Sequence, residues 1–293
     1  MTNDETEGGL PARPLSRREF VGGAVGTGFA AAVLPVTAQT VVKTDSAGLE
    51  VGEVTIRVGD FRMPAYRASP AGSQGAPLVL VVSEIFGVHE HIADVARRFA
   101  KLGYFAVAPE LFVRQGDAGS YGEIAKLLSE VVNKVPDAQV LGDLDATVAW
   151  AASQGADTSR LAVTGFCWGG RVTWLYAAHN PSVKAGAAWY GRLTGPTSEL
   201  NPAHPIDRVG QLHGPVLGLY GGQDSGIPQS AVEQMKSALA SGSAAARRSE
   251  FHVYAQAPHA FHADYRPSYR KEAADDGWQR CLAWFRARGV APT

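Results

Sequence analysis

A cysteine stands between glycines in the stretch Gly165-Phe166-Cys167-Trp168-Gly169-Gly170. A strand-like run, L-A-V-T, precedes this stretch, and a helix-like run, R-V-T-W-L-Y-A-A, follows it. The order of strand, G-x-C-x-G and helix has the shape of the nucleophile elbow G-x-S-x-G, with cysteine in place of serine. Glycines avoid Cβ clashes at such a sharp turn, and the N-terminus of the following helix stabilises a thiolate. The stretch therefore predicts a nucleophilic thiol at Cys167, beside an oxyanion site formed by the backbone N–H of Trp168.

Other roles for Cys167 are compatible with the sequence alone. It could be a packed core cysteine, one half of a disulfide with Cys281, or a redox thiol that works with Cys281. We expect Cys281 to fill the core, because it lies on the apolar stripe of a helix with Trp278 and Phe285. There are only two cysteines, and no C-x-x-C or H-x-x-x-H pattern indicates zinc. We expect neither a metal nor an organic cofactor.

A thiol nucleophile needs a base and a group that orients this base. In the elbow architecture the acid and the histidine follow the nucleophile in the chain, each at the end of a later strand. The run V-L-G-L-Y-G-G is followed by Asp224, and the run F-H-V-Y is followed by His259 after a short loop. The sequence therefore predicts His259 as the base and Asp224 as the orienting acid. His262 is the competitor to His259, and Asp224 could instead be a helix N-cap or turn residue.

A carboxylate stands in the loop after the buried strand 78–82, in the stretch S-E-I-F-G. This loop usually supplies the second oxyanion N–H. Glu84 lies beside aromatic and aliphatic residues, so we expect burial to raise its pKa. The alternative is an exposed loop carboxylate, since glutamate is mostly exposed. We expect the substrate to contact Phe86, Trp189 and Tyr190.

The pattern of apolar residues indicates the elements that must position these side chains. Residues 51–68 alternate around Gly59-Asp60 and predict a hairpin, and the continuous apolar run 77–82 is typical of a strand buried on both faces. Helical spacing then alternates with short apolar runs up to Phe285, which predicts an α/β-hydrolase fold with a mostly parallel sheet of about eight strands and helices on both faces. We expect one domain over residues 39–293, with the irregular stretch 191–214 as a lid or pocket wall. Predicted strands after 82 cover 104–108, 161–165, 183–190, 216–220 and 251–254, and predicted helices lie around 92–102, 140–148, 168–178, 232–239 and 278–285.

The first forty residues differ from the rest of the chain. Arg17-Arg18 precedes a mild apolar run over 21–34 that is rich in glycine and alanine, and Val36-Thr37-Ala38 closes it. This pattern predicts an export signal over residues 1–38 that is cleaved near Ala38, and the paired arginines resemble a twin-arginine signal. The mature protein would then be periplasmic or secreted, with the twin-arginine translocation machinery as a partner during export. The alternatives are a disordered tail with a chance arginine pair and a retained signal. The run is too short and glycine-rich for a stable membrane span.

Composition excludes several classes of partner. The 293-residue chain has a formal net charge of −1, and its lysines and arginines are scattered rather than clustered. There is thus no electrostatic case for binding nucleic acid or an anionic membrane. We expect a small molecule as the substrate.

Five motifs together resemble the dienelactone hydrolase family: E-I-F-G, A-P-E-L-F, G-F-C-W-G-G, G-G-Q-D and A-P-H-A-F-H. The similarity runs from about Val51 to Phe285. It implies an α/β-hydrolase-like fold and a hydrolase whose archetype opens the lactone ring of dienelactone. The resemblance also implies a role for each site residue: Cys167 as nucleophile, His259 as base, Asp224 as orienting acid, Glu84 as the partner of the resting thiol, and Ile85 and Trp168 as the oxyanion hole.

The sequence departs from this family at two points. In the best-known members, an arginine four residues after the histidine helps hold the substrate carboxylate, and Ala263 occupies that position here. The export signal also differs from the cytoplasmic archetype. We therefore expect a hydrolase that opens a lactone or cleaves an ester through a thioester on Cys167, without commitment to dienelactone itself. The rival functions are a broad periplasmic carboxylesterase, a thiol-redox protein and a binding protein without activity.

Overall fold

A computed structural model describes residues 42–292, so the predicted signal over 1–38 lies outside the described part. Eight strands form one sheet in the order β1-β2-β4-β3-β5-β6-β7-β8, in agreement with the predicted number. The first two neighbour pairs, β1–β2 and β2–β4, are antiparallel, and all the others are parallel. The strands are β1 Leu49–Val58, β2 Phe61–Pro70, β3 Pro77–Val82, β4 Phe105–Pro109, β5 Asp157–Phe166, β6 Val183–Trp189, β7 Val216–Gly221 and β8 Glu250–Tyr254.

The predicted hairpin at the start of the sheet is confirmed. Val58 pairs with Phe61, so that Gly59 and Asp60 form a two-residue loop. Gly59 has a φ of 58°, a backbone conformation that favours glycine and that tight hairpin turns require. All six residues of β3 are buried, because β4 and β5 flank it and helices cover both faces. This explains its continuous apolar run.

Within residues 42–292, α-helices cover both faces of the sheet. Phe99 on the first helix contacts Trp278 on the last, with ring centroids 4.5 Å apart, so these two helices share one face. The third and fourth helices contact each other and the central strands on the other face. Within residues 42–292 no helix has both the length and the apolar character needed to cross a bilayer. The helices are α1 Glu90–Lys101, α2 Ile124–Glu130, α3 Asp137–Ser153, α4 Trp168–His179, α5 Gln229–Ala240 and α6 Lys271–Ala287.

Two short helices were not predicted from the sequence. The α2 helix has seven residues and buries only Leu127, which is too little to leave a helical pattern. A 3₁₀ helix, Pro205–Gln211, lies within the stretch 191–214 that we expected to be irregular. Arg171 on α4 holds this stretch, because its guanidinium donates to both carboxylate oxygens of Asp137 and to the carbonyl of Ala203. The stretch is therefore anchored to two helices.

The parallel strands bring the predicted site residues to one edge of the sheet. The carboxyl ends of neighbouring parallel strands lie side by side, and ligands bind at this edge in open α/β sheets. The loops after β3, β5, β6, β7 and β8 carry, in that order, the side chains of Glu84, Cys167, Tyr190, Asp224 and His259.

Candidate active site

Cys167 occupies a sharp turn between β5 and α4. Its φ is 54° and its ψ is −112°, which is a strained conformation for a residue with a side chain. The turn is held from both sides: the N–H of Cys167 donates to the carbonyl of Trp189 at 2.9 Å, and the N–H of Arg171 donates to the carbonyl of Cys167 at 3.2 Å. Strain that the surrounding structure maintains is typical of functional positions. The thiol projects at the N-terminus of a twelve-residue helix.

Two glycines of the motif are required by close backbone contacts. A Cβ on Gly165 would lie 2.2 Å from the carbonyl oxygen of Gly169. A Cβ on Gly169 would lie 2.4 Å from the carbonyl oxygen of Val82 and 2.6 Å from that of Ser83. The glycines therefore let α4 approach the ends of β3 and β5 closely. This packing brings the loop after β3 next to the cysteine.

His259, which is half-buried, pairs with the buried Asp224 at the ends of β8 and β7. Nδ1 of His259 donates to Oδ2 of Asp224 at 2.6 Å, and the Asp224 side chain is fully buried. The other oxygen, Oδ1, accepts the N–H groups of Gly226 and Ile227 at 2.9 and 3.2 Å. Asp224 thus closes its own turn, as the alternative interpretation held, and also fixes the imidazole tautomer of His259.

His259 also lies within interaction range of the Cys167 thiol. Burial acts to lower the pKa of His259, but the hydrogen bonds with Asp224 and Cys167 and the charges of both groups outweigh burial and raise it to about 10. His259 therefore interacts with both Asp224 and Cys167. At neutral pH this arrangement favours a charged imidazolium that faces the sulfur.

The two predicted oxyanion donors lie on either side of the cysteine. Trp168 is the first residue of α4, where N–H groups have no acceptor within the helix, and Ile85 lies in the turn after β3. Glu110 fixes this turn, since its buried carboxylate accepts the N–H of Val88 at 2.9 Å. The Trp168 ring packs on Phe112 with centroids 4.6 Å apart. The oxyanion role of both N–H groups stays a prediction.

Glu84 is buried, but its surroundings differ from those expected. Its Oε2 accepts a hydrogen bond from the Tyr265 hydroxyl at 2.5 Å and contacts Nε2 of His89 at 3.2 Å. Burial alone would raise the pKa of Glu84, but the hydrogen bond and charge of His89, the charge of His91 and the hydrogen bond of Tyr265 lower it to about 2. The predicted rise in pKa is therefore wrong, because polar partners lie among the apolar neighbours. That Glu84 is the partner of the resting thiol stays a prediction; the hydrogen bonds described for its carboxylate are with Tyr265 and His89.

The three predicted substrate contacts have different positions. Trp189 is fully buried, its indole N–H donates to Thr164 at 3.1 Å, and its ring packs against Phe166 and His262, so its contact with substrate stays a prediction. Tyr190 is also fully buried, but its ring lies edge-on to His259, with centroids 5.1 Å apart. Phe86 is half-buried, and the guanidinium of Arg266 lies 4.7 Å above its ring. Tyr190 and Phe86 therefore adjoin the site, and Trp189 supports it.

Cys281 and His262, the alternatives to Cys167 and His259 in the sequence, lie in environments that do not suit a nucleophile or a base. Cys167 and Cys281 are both free thiols, and Cys281 is fully buried, as expected for a core residue. Burial raises the pKa of the Cys281 thiol well above its usual value despite a hydrogen bond with Thr164. His262 is buried beneath the site, and burial with the charge of His91 lowers its pKa well below the usual value. His259 is therefore the histidine that meets the thiol.

Sequence reasoning missed the polar residues around Glu84. His89 comes from the start of α1, and Tyr265 and Arg266 come from the loop after His259. A second buried pair stands behind them, because Nδ1 of His91 contacts Oδ1 of Asp264 at 2.8 Å. The signal for this cluster is the density of polar and aromatic residues in H-E-H and H-A-D-Y-R. Within residues 42–292, no three His, Cys, Asp or Glu side chains form a group that could hold a metal ion.

Comparisons of the sequence with known proteins and of the structure with solved structures point to the same family. The family described as "Dienelactone hydrolase family" matches residues 63–289. A protein of Methylorubrum extorquens named "Putative carboxymethylenebutenolidase" is 60% identical over 278 residues, which cover 94% of each chain. A protein of the same name from Escherichia coli is 53% identical and covers 90% of this chain and 96% of its own.

Solved structures give the same result. The crystal structure of a "Putative Dienelactone Hydrolase" from Klebsiella pneumoniae has a TM-score of 0.78 at 55% identity, and covers 81% of this chain and 98% of its own. A promiscuous phosphotriesterase from metagenomic libraries, described as dienelactone hydrolase-like, has a TM-score of 0.67 at 21% identity. It covers 82% of this chain and 99% of its own, and shows the shared fold alone.

Proposed function

This chain belongs to the dienelactone hydrolase family of hydrolases, and from that premise we propose that it opens a lactone or cleaves a carboxylic ester with Cys167 as the nucleophile. One observation carries the proposal: at the carboxyl edge of the sheet, His259 is hydrogen-bonded to Asp224 at 2.6 Å and interacts with the thiol of Cys167. Nucleophile, base and orienting acid in this relation are the requirements of acyl transfer.

The first half-reaction forms a thioester. The sulfur of Cys167 attacks the ester carbonyl carbon while His259 carries the thiol proton on the nitrogen that faces the sulfur. Charge develops on the carbonyl oxygen, and the N–H groups of Ile85 and Trp168 stabilise it. The C–O bond then breaks, and the leaving oxygen departs as an alkoxide or enolate that takes the proton from His259. In a lactone, this oxygen stays tethered to the acyl group.

The second half-reaction hydrolyses the thioester. Acylation removes the negative charge of the sulfur, and with it part of what raises the pKa of His259. The imidazole can then be neutral at ordinary pH and accept a proton from water. Hydroxide attacks the acyl carbon, the C–S bond breaks, and the carboxylic acid leaves while the thiolate and imidazolium re-form. Asp224 keeps Nδ1 protonated throughout, so that the other nitrogen is always the one that exchanges protons.

A specific observation keeps a broad carboxylesterase as the second candidate. Ala263 is fully buried and offers no cation at the position where well-known members of this family hold a substrate carboxylate. The guanidinium of this loop is at Arg266, over Phe86. The chemistry would be the same, and only the shape and charge of the accepted acyl group would differ.

A hydrolysis screen tests the proposed function. We expect the chain without residues 1–38 to hydrolyse at least one member of a panel that contains dienelactone, simple five- and six-membered lactones and p-nitrophenyl esters of two to eight carbons. Each reaction would be followed by acid release at pH 7 and 25 °C. Hydrolysis of p-nitrophenyl acetate without turnover of any lactone would favour the carboxylesterase. No hydrolysis of any member by folded protein would contradict both candidates.

For localisation we propose export through the twin-arginine route, supported by Arg17-Arg18 and the mild apolar run after them. The double change Arg17→Lys with Arg18→Lys should trap the precursor in the cytoplasm, because the paired arginines are the feature that this route reads. Fractionation with an antibody to the mature chain gives the measurement. Arg13→Lys is the matched control, since it makes the same change outside the pair and should leave export normal. Delivery of the double variant to the periplasm at the normal level would contradict this route.

A further inference from the structure

The motif A-P-E-L-F closes β4 and continues to Phe112, and no step of the proposed chemistry uses it. Resting on the proposed function, we infer that Glu110 in this motif is a positioning residue for acyl transfer. Its side chain holds the loop after β3, so that the N–H of Ile85 is fixed at the oxyanion site before substrate arrives. Glu110 acts through this loop and has no contact with the substrate.

Glu110 reaches the far end of this loop with a buried side chain. The residue is 5% exposed, and its Oε2 accepts the N–H of Val88 at 2.9 Å. The carboxylate also fills the space beside Gly87, because a Cβ on this glycine would lie 2.5 Å from Oε1 and 2.9 Å from Oε2. Gly87 has a φ of 73°, a conformation that favours glycine. The carboxylate therefore packs directly against the backbone of the loop.

The backbone of Glu110 is itself fixed to the sheet. Its N–H donates to the carbonyl of Pro64 on β2 at 2.9 Å. The next two residues, Leu111 and Phe112, are fully buried. A side chain can hold a loop only if its own backbone does not move, and both of these observations meet that condition. Glu110 thus connects the loop after β3 to the rigid part of the molecule.

The loop that Glu110 holds lies against the helix that carries the nucleophile. A Cβ on Gly169 would lie 2.6 Å from the carbonyl oxygen of Ser83, so the first turn of α4 touches the start of the loop. Ile85 follows two residues after Ser83, between this contact and the bond to Val88. The loop is therefore fixed on both sides of the predicted donor, by α4 before it and by Glu110 after it.

The same motif supports the second predicted donor. The ring of Phe112 packs on the ring of Trp168, with centroids 4.6 Å apart. Oxyanion donors are effective because they are fixed before charge develops, so a donor on a loose loop stabilises the transition state less. The short segment after β4 therefore supports both donors, one through Glu110 and the other through Phe112.

The loop of His259 has anchors of its own. Asp264 in that loop contacts Nδ1 of His91 at 2.8 Å and accepts the N–H of Val42 at 2.9 Å. These bonds tie the loop to α1 and to the first described residues of the chain, and Glu110 takes part in neither. A change at Glu110 should therefore disturb the oxyanion site and leave the base in place.

Removal of the carboxylate should lower hydrolysis without a change in thiol reactivity. Glu110→Met keeps the length of the side chain and removes the acceptor of the Val88 N–H. We expect turnover of the best substrate of the screen to fall about tenfold, less than the loss on the order of 10²–10³-fold that removal of a whole donor causes. Alkylation of Cys167 by iodoacetamide uses the same thiol but forms no oxyanion, so its rate should stay within about twofold of wild type. Peptide mass spectrometry would follow the alkylation.

Three further variants separate positioning from a general disturbance of the fold. Glu110→Gln keeps an oxygen that can accept the Val88 N–H, so its turnover should stay within about threefold of wild type. Gly87→Ala places a methyl group where the carboxylate lies and should lower turnover about as much as Glu110→Met does. Gly103→Ala is the matched control, because this glycine also has a positive φ, of 96°, and its Cβ would lie 2.8 Å from Pro292. It precedes β4 at the opposite edge of the sheet, so it should lower stability but not turnover.

Amide hydrogen exchange measures the loop directly and needs no substrate. A peptide that covers residues 83–89 should exchange about tenfold faster in Glu110→Met than in wild type, because the Val88 N–H loses its acceptor and the loop opens more often. A peptide that covers residues 260–266, in the loop of His259, should exchange at the wild-type rate. Gly87→Ala should give the same two results, which keeps the role of Glu110 testable if Glu110→Met fails to fold.

Three results would overturn the positioning role of Glu110. They are wild-type turnover in Glu110→Met or Gly87→Ala, a loss of alkylation in Glu110→Met as large as its loss of hydrolysis, and a Glu110→Gln protein as slow as Glu110→Met. A wild-type protein that hydrolyses no ester or lactone would contradict the proposed function, and the role of Glu110 would fall with it. Wild-type hydrolysis that Glu110→Met retains in full would count against Glu110 alone.

Discussion

Replacement of Cys167 by alanine should abolish ester and lactone hydrolysis while the protein stays folded. Loss of a nucleophile typically costs on the order of 10⁴-fold or more in turnover, because no other group forms the acyl intermediate. The fold should survive, since the thiol projects at the edge of the sheet and is only partly buried. Alanine also adopts the positive φ of this position about as readily as cysteine does. The measurement is initial rate on the best substrate of the screen, together with circular dichroism and urea unfolding.

Cys281→Ala is the matched control for this prediction. It removes the other free thiol, which is fully buried on α6. Turnover should stay within about twofold of wild type, and the free energy of unfolding should fall by about 1 kcal/mol, as is common for a small loss of core packing. A Cys167→Ala protein with undiminished turnover would remove this residue from the mechanism. Equal losses in both variants would point to a structural effect.

The second large effect is expected at the histidine and its carboxylate. His259→Ala should lower turnover by at least 10⁴-fold, since both the thiol proton and the hydrolytic water need this base. The loss of turnover in Asp224→Asn should be about tenfold smaller than the loss in His259→Ala, because this change impairs the orientation of a base that is still present. The asparagine oxygen can still accept the N–H groups of Gly226 and Ile227, so the turn should be preserved. Rates across pH 5 to 10 provide the comparison.

Controls for the histidine and carboxylate variants are also available. His179→Ala removes an exposed histidine at the end of α4, far along the helix from Cys167, and should leave turnover unchanged. A second check uses the charge of His259. Asp224→Asn should slow alkylation of Cys167 by iodoacetamide below pH 7, because the His259 imidazolium, which favours the thiolate, loses the carboxylate that accepts its Nδ1–H. An Asp224→Asn variant as inactive as His259→Ala would contradict the milder role of Asp224.

The sequence was sufficient to predict the sheet and the residues at its carboxyl edge. Alternation of apolar runs with helical spacing is a local signal, and each strand end is marked by a motif such as G-G-Q-D. Because parallel strands place their ends side by side, chain order alone predicts that Asp224 and His259 meet. Their roles in turnover remain predictions until the variants are measured.

The environment of Glu84 could not be predicted for a physical reason. Local neighbours suggested an apolar pocket, but Tyr265, its donor, is 181 positions away in the chain. The hydrogen bond and charge of His89, together with the charge of His91 and the hydrogen bond of Tyr265, reverse the direction of the pKa shift. The orientation of Trp189 could not be predicted for a similar reason: its place at the end of β6 follows from chain order, but the direction of its indole toward Thr164 depends on packing against Phe166 and His262. Placement along a strand is a local property, and side-chain direction is not.

The bond from Val42 to Asp264 has a practical meaning for anyone who shortens or tags this protein. An expression boundary at residue 45 would remove the Val42 N–H from Asp264 and the Thr44 N–H from Asp94, and each lost donor to a buried carboxylate costs about 1–3 kcal/mol. Shortening the chain before residue 292 would also remove hydrogen bonds, since Tyr104 donates to the carbonyl of Val290 and Arg160 donates to the carbonyl of Ala291. A tag joined directly before Val42 therefore needs a flexible spacer, because a rigid junction would pull on the bond that reaches the loop of His259.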